Sequence, residues 1–172
     1  MKTMRSRFFL FSCMVLYALF LNSCARPSGY NGYMTRSYTV RGQTYHPMSV
    51  EQALGYKETG ECSWYDESSF LGLKRGTTSL GEKVKPWHLT GAHKTLPLPA
   101  LVKVTNLENG KSVNVRINDR GPFIPGRHLD VTSRAANKLG FKESGLTRTR
   151  LEVLWVGDGK YRRKPKKHFL FF

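Results

Sequence analysis

The residues best suited to chemistry stand together in Val115-Arg116-Ile117-Asn118-Asp119-Arg120-Gly121-Pro122-Phe123. Val113, Val115 and Ile117 alternate with Asn114, Arg116 and Asn118, a period of two that predicts a strand with one buried face. Asp119 falls where that strand ends, and Gly121-Pro122 turns the chain at once. A carboxylate at a strand end, between Asn118 and Arg120 and held by a rigid turn, is placed to exchange protons with a ligand. It can equally cap the turn and pair with Arg120, and from this stretch alone both readings stand.

Three other places carry candidates. Glu82 follows Gly81 and by itself reads as an ordinary solvated acid. His93 lies among small residues, Gly91-Ala92, where a hydrogen-bonded structural histidine is the plainer reading than a catalyst. Trp64 and Tyr65 open the main domain as core residues, or as platforms on which sugar rings stack. No cluster of Cys and His has zinc-ligand spacing, so neither a metal nor another cofactor is expected.

Short strands and tight turns must position these residues. Thr39 to Tyr45 suits a small hairpin with Gly42 in its turn, and His46 before Pro47 reads as surface. Gly60 to Tyr65 is a strand, and 70–79 reads as an exposed loop. Leu101 to Thr105 and Ser112 to Asn118 form a pair joined through Asn109-Gly110, the strongest hairpin signal in the chain, and they deliver Asp119 to one end of a sheet. Thr132 or Ser133 caps a helix that runs through Ala135, Ala136 and Leu139 and stops at Gly140; Leu151 to Val156 is the closing strand. The pattern is mainly β, a small barrel with one or two short helices.

The two ends say where such a domain would work. Lys2, Arg5 and Arg7 precede an apolar run from Phe8 to Leu21, too short for the ~20 residues of a membrane-spanning helix and suited to the core of a secretory signal peptide. Leu21-Asn22-Ser23-Cys24 resembles a bacterial lipobox, which implies cleavage before Cys24 and lipid on its sulfur. Ala25 follows, with no aspartate to retain the protein at the inner membrane, so an outer-membrane lipoprotein facing the periplasm is expected. Cys13 would leave with the signal and Cys24 would be lipidated, which leaves Cys62 without a disulfide partner. The 28 Lys and Arg outweigh 12 Asp and Glu, giving a net charge of +16; for an exported chain this points to anionic wall polymer or lipid rather than nucleic acid. The basic run Lys160 to His168 fits the same partners. Four regions follow: a signal peptide over 1–23, a flexible tether with the short hairpin over 24–56, the barrel over 57–157 and a basic tail over 158–172.

Taken in order, Gly60-x-x-Ser63-Trp64-Tyr65, Gly81-Glu82, Thr90-x-Ala92-His93-Lys94-Thr95-Leu96-Pro97, Val104 to Gly110, Val115 to Phe123, Gly126-Arg127, Asp130, Ala135-Ala136 and Leu139-Gly140 resemble the rare lipoprotein A (RlpA) family. The collinear blocks run from about Gly60 to Val156 and are far more specific than any one of them. The resemblance implies a six-stranded double-psi β-barrel, a monomer, that acts on the glycan strands of peptidoglycan as a lytic transglycosylase. It implies that Asp119 is the acid/base, with Glu82 and His93 lining the same groove. Asn118, Tyr65, Trp64 and Arg120 are candidates for holding substrate, and Arg120 also for fixing the site loop. Three departures stand out: Cys62 where the family has a small residue, Thr77-Thr78-Ser79-Leu80-Gly81-Glu82 in place of a shorter family motif, and Lys85 where an aspartate is common. The SPOR domain of many members has no counterpart here, so a septal location is not carried over. Lys85 and the basic tail keep a second reading open, an expansin-like module that binds peptidoglycan without cutting it.

Overall fold

The computed structural model describes residues 32–65 and 76–165. The signal peptide, Cys24, most of the 70–79 loop and the end of the basic tail lie outside the described residues.

A closed barrel of six strands forms the body: β3 (Lys57–Tyr65), β4 (Thr90–His93), β5 (Ala100–Asn106), β6 (Ser112–Asp119), β7 (Arg127–Thr132) and β8 (Leu146–Val156), in the spatial order β3-β7-β4-β6-β5-β8. The β3/β7 and β4/β6 pairs are parallel and the other four antiparallel. The β5–β6 hairpin turns at Asn109-Gly110, with Gly110 at positive φ as that turn requires. Alternate residues of each strand point inward and meet in one core of Val102, Val104, Val115, Ile117, Leu129, Val131, Leu151 and Val153. The helix α2 (Ser133–Leu139) closes one side with Ala135, Ala136 and Leu139, and Gly140 ends it in the left-handed region.

Two strands differ from what the residues suggested. β4 is short and made of small residues, yet it pairs on both sides, with β6 and with β7. A Cβ on Gly91 would stand 2.7 Å from the Asp130 carbonyl oxygen, so close packing of backbone on backbone explains a strand with little hydrophobic signal. β8 begins at Leu146 rather than Leu151, because Thr147 and Thr149 also face inward. Their hydroxyls hydrogen-bond Asn106 Oδ1 and His128 Nε2, which satisfies buried polar groups that alternation of apolar residues does not reveal.

The stretch expected as a tether is, from Gly32 to Tyr56, folded against the barrel. Met34 bridges to Leu98, β1 (Tyr38–Val40) and β2 (Gln43–Tyr45) form the expected hairpin over Arg41-Gly42, and α1 (Val50–Ala53) follows. Ser49 and Gln52 close a capping box on α1, and Ala53 enters the core. Five aromatic rings account for the difference. Tyr38 stacks on Tyr45 at 5.3 Å and both meet Phe123, while Tyr33 packs edge-on against Tyr161, an apolar payload that a solvated linker lacks.

Candidate active site

β6 ends in three polar residues that a single loop grips. The loop spans 77–83, closed by a bridge between Thr77 and Lys83 and turned by Gly81 at positive φ. From it, Ser79 donates twice to Asp119 Oδ1, through its backbone N–H at 2.8 Å and its hydroxyl at 2.7 Å. The Arg120 N–H donates to the same oxygen at 2.8 Å, and also to Ser79 Oγ at 3.1 Å. One carboxylate oxygen is thereby fixed by three donors that are themselves interlocked.

Glu82, on the same loop, is bound to the other two residues. Arg116 grips it bidentately, with Nη1 and Nη2 each at 2.8 Å, and Asn118 Nδ2 donates to Oε2 at 2.7 Å. Asp158 takes the other side of the Arg116 guanidinium at 2.6 Å. Burial by itself would raise the Glu82 carboxyl, but the bonds from Arg116 and Asn118 outweigh it and hold it below the usual carboxylate range. Glu82 is therefore an ionised group whose charge Arg116 already balances. Asn118 is 4% exposed, and its Oδ1 has no partner among the described residues.

His93 is placed differently. It is 3% exposed, at the end of β4. Its Nδ1 accepts the backbone N–H groups of Thr95 at 3.1 Å and Leu96 at 3.0 Å, so Nδ1 carries no proton. The proton sits on Nε2, which donates to Glu58 Oε2 at 2.8 Å. Burial pushes the imidazole down against the pull of Glu58, and it is neutral. Both ring nitrogens are engaged in holding structure.

The turn that His93 organises in turn holds Arg120. Its Nη1 donates to the carbonyls of Leu96 at 2.5 Å and Lys94 at 3.2 Å, its Nη2 donates to Met34 O at 2.8 Å, and the guanidinium lies over Tyr38. Arg120 thus joins the barrel, the turn and the N-terminal arm.

Among the described residues, two recesses open at this end of the barrel. One, of about 880 Å³, is bounded by Tyr33, Arg36, Tyr38, Ser79, Asp119 and Phe123 among others. The second, of about 400 Å³, has Glu82, Lys85, His88, Arg116 and Asn118 on its walls. Asp119, Asn118 and Glu82 come together at the junction of β6 and the loop, whereas His93 lines neither recess. Trp64 and Tyr65 line neither as well. The Trp64 indole donates to Lys142 O at 3.0 Å, with Lys142 Nζ over its ring, on the side that leads to α2. Among the described residues no group of three or more His, Cys, Asp or Glu is placed to hold a metal ion.

Sequence reading missed Ser79, Arg116, Glu58 and the arm's tyrosines. Arg116 had a signal, a polar position of the opening motif on the same strand face as Asn118. The arm also had one, in the density of tyrosine across a segment read as a linker.

A closed barrel with parallel β3/β7 and β4/β6 pairs and an acidic strand end defines a double-psi β-barrel of the lytic transglycolase type, and the family model of that description matches residues 57–151. The chain belongs to the RlpA family. It is 47% identical over 142 residues to the endolytic peptidoglycan transglycosylase RlpA of Pseudomonas aeruginosa strain UCBPP-PA14, covering 79% of this chain and 40% of that protein. It is 36% identical over 188 aligned positions to the protein of the same name from Rickettsia bellii, covering 95% of this chain and 80% of that one. The chain thus spans well under half the length of the Pseudomonas relative. Among solved structures it is similar to the Streptomyces papain inhibitor, at 22% identity and a TM-score of 0.45, over 58% of this chain and 96% of that one.

Proposed function

We propose that the barrel is a lytic transglycosylase of peptidoglycan, cleaving the glycosidic bond between N-acetylmuramic acid and N-acetylglucosamine to leave 1,6-anhydro-muramyl ends. The observation that carries this is the immobilised Asp119 carboxylate at the mouth of an aromatic-walled recess large enough for sugar rings. The relatives from Pseudomonas aeruginosa and Rickettsia bellii, named endolytic peptidoglycan transglycosylases, support the same reaction.

The reaction asks one group to do two things. It protonates the glycosidic oxygen as the bond breaks, then takes the proton of the muramyl C6 hydroxyl as that oxygen closes on the anomeric carbon. Asp119 is assigned both steps. Three donors on Oδ1 fix the plane of the carboxyl group and favour Oδ2 as the atom that exchanges protons. Glu82 is assigned to orientation: ionised, and neutralised by Arg116, it holds the amide of Asn118 so that Oδ1 of Asn118 can accept an N–H from a substrate acetamido group. His93 is assigned to position rather than to proton transfer, because protonating Nδ1 would evict two backbone donors. Sugar stacking is assigned to the ring wall of Tyr33, Tyr38 and Phe123 in place of Trp64 and Tyr65. The protein is placed in the cell envelope, at the outer membrane through a lipidated Cys24, with the basic tail against anionic lipid or wall polymer.

The test is a digestion of purified glycan strands analysed by mass spectrometry, beside Asp119→Asn. Anhydro-muramyl products from the wild type and none from the variant support the assignment. Reducing-end products would make the protein a hydrolase, which needs a second carboxylate or an activated water. Retained glycan with no products from either protein would favour the binding module, a reading to which Lys85 beside Glu82 lends weight.

A further inference from the structure

Behind Asp119 runs a continuous chain of hydrogen bonds, and it ends on a side chain that no motif singled out. Glu58, on β3, stands with Oε2 2.8 Å from His93 Nε2 and 3.7 Å from His128 Nδ1. We propose that Glu58 is a positioning residue for the reaction at Asp119, acting through His93, the turn at 94–96 and Arg120. The inference rests on the glycan-cleaving reading of the Asp119 recess.

Each link follows from the one before. Glu58 offers an acceptor to Nε2 and so selects the tautomer of His93 that leaves Nδ1 bare. A bare Nδ1 can accept the N–H groups of Thr95 and Leu96 together, which closes the turn. The closed turn points the carbonyls of Lys94 and Leu96 at the Arg120 guanidinium. Arg120, anchored there and on Met34, sets the place of its own backbone N–H, which binds Asp119 Oδ1 and Ser79 Oγ. Without an acceptor at Nε2, the buried ring relieves an unpaired donor by moving its proton to Nδ1. That proton would face two N–H donors, and the turn would have to open. Glu58 can act this way because the two imidazoles keep it ionised in spite of its burial. Burial alone would raise its carboxyl, but His128 and His93 hold it well below the usual carboxylate range. Gly60 makes room for the second imidazole: a Cβ there would stand 3.0 and 3.1 Å from two atoms of the His128 ring.

What matters on this account is an acceptor, not a charge, and two variants separate these. In Glu58→Gln the amide oxygen still accepts from Nε2, so kcat is expected within about threefold of wild type. In Glu58→Leu the acceptor is gone, so kcat is expected to fall by about 10- to 100-fold with KM within about twofold, the scale of a displaced catalytic group. Magnetic resonance of the same proteins gives a readout that needs no substrate. The amide signals of Thr95 and Leu96 and the 13C signal of the Asp119 carboxyl are expected to move in the Leu variant and stay in the Gln variant. The unmodified protein supplies a third measurement, the 15N shifts of His93, expected to report a protonated Nε2 and a bare Nδ1 at neutral pH.

Wild-type kcat in Glu58→Leu, or an unmoved Asp119 carboxyl signal, overturns the proposal. So does an equal loss in both variants, which would make the charge rather than the acceptor responsible. A Leu variant that fails to fold leaves the decision to the Gln variant and to the His93 tautomer, and the opposite tautomer or an imidazolium overturns it. Should the wild type release no product, the glycan-cleaving reading fails by itself, and the positional chain then stands or falls on the resonance data.

Discussion

Replacing Arg120 with alanine tests how much one guanidinium holds together. Its two short bonds, to Leu96 O at 2.5 Å and Met34 O at 2.8 Å, come from a charged donor, and such bonds contribute about 1.5–3 kcal/mol each in favourable settings. The bond to Lys94 O at 3.2 Å is weaker, and the stacking over Tyr38, 5.2 Å from the ring centre, adds roughly 0.5–1 kcal/mol. The group is half-buried and the contributions overlap, so the expected loss is about 3 kcal/mol rather than their sum. For a domain of this size that corresponds to a fall in Tm on the order of 10 °C. Urea unfolding followed by circular dichroism measures the loss. Limited trypsin digestion locates it, because the arm between Tyr33 and Tyr45 carries cleavable bonds at Arg36 and Arg41 that should open in the variant before the barrel does. Arg120→Lys keeps the charge but cannot reach three carbonyls in one plane, so it should recover at most about half of the lost stability. A loss below about 0.5 kcal/mol, or an arm no more sensitive to trypsin than in wild type, would refute the reasoning. Lysine equal to arginine would show that net charge, not the planar geometry, does the holding.

Other outcomes follow from the same contacts. The native state should lose stability as pH falls, in two stages. His93 is depressed by burial, so the unfolded chain binds its proton first and stability declines below about 6.5; Glu58 and Glu82 are depressed by their partners, so their contribution is present above about 4.3 and is lost as they protonate below it. Glu82→Gln should flatten the acid limb of a pH series of urea midpoints, and an unchanged slope would count against its pairing with Arg116. Burial raises the Cys62 thiol far above the ordinary cysteine range, so Cys62 should resist iodoacetamide in the folded protein and react in urea, with mass spectrometry as the readout. Gly91→Ala should cost about 1–3 kcal/mol in the same unfolding assay, since its Cβ would stand 2.7 Å from backbone that cannot swing away.

Much of this protein was legible in one dimension. The β5–β6 hairpin was readable because Asn109-Gly110 and the alternation of Val113, Val115 and Ile117 are local signals, and helix α2 because its apolar spacing and terminal glycine are local too. Asp119 could be singled out for the same reason: strand end, polar flanks and rigid turn all lie within nine residues. Tertiary structure decided what those residues do for one another. That Ser79 and not Arg120's side chain grips Asp119, and that Arg116 neutralises Glu82, depends on a loop laid against a strand 34 to 41 positions away. His93 became a fixed buried acceptor only when β4 was inserted between β6 and β7, where small residues are demanded by backbone packing rather than by any hydrophobic period. The arm turned from tether to wall through rings that meet Phe123 and a guanidinium that reaches Met34, contacts between segments far apart in the chain. Sequence determines most of the strands and turns and picks out the carboxylate at the end of β6; the fold determines which charges are balanced and which nitrogens carry protons, because those depend on neighbours within a few ångströms that chain order does not specify.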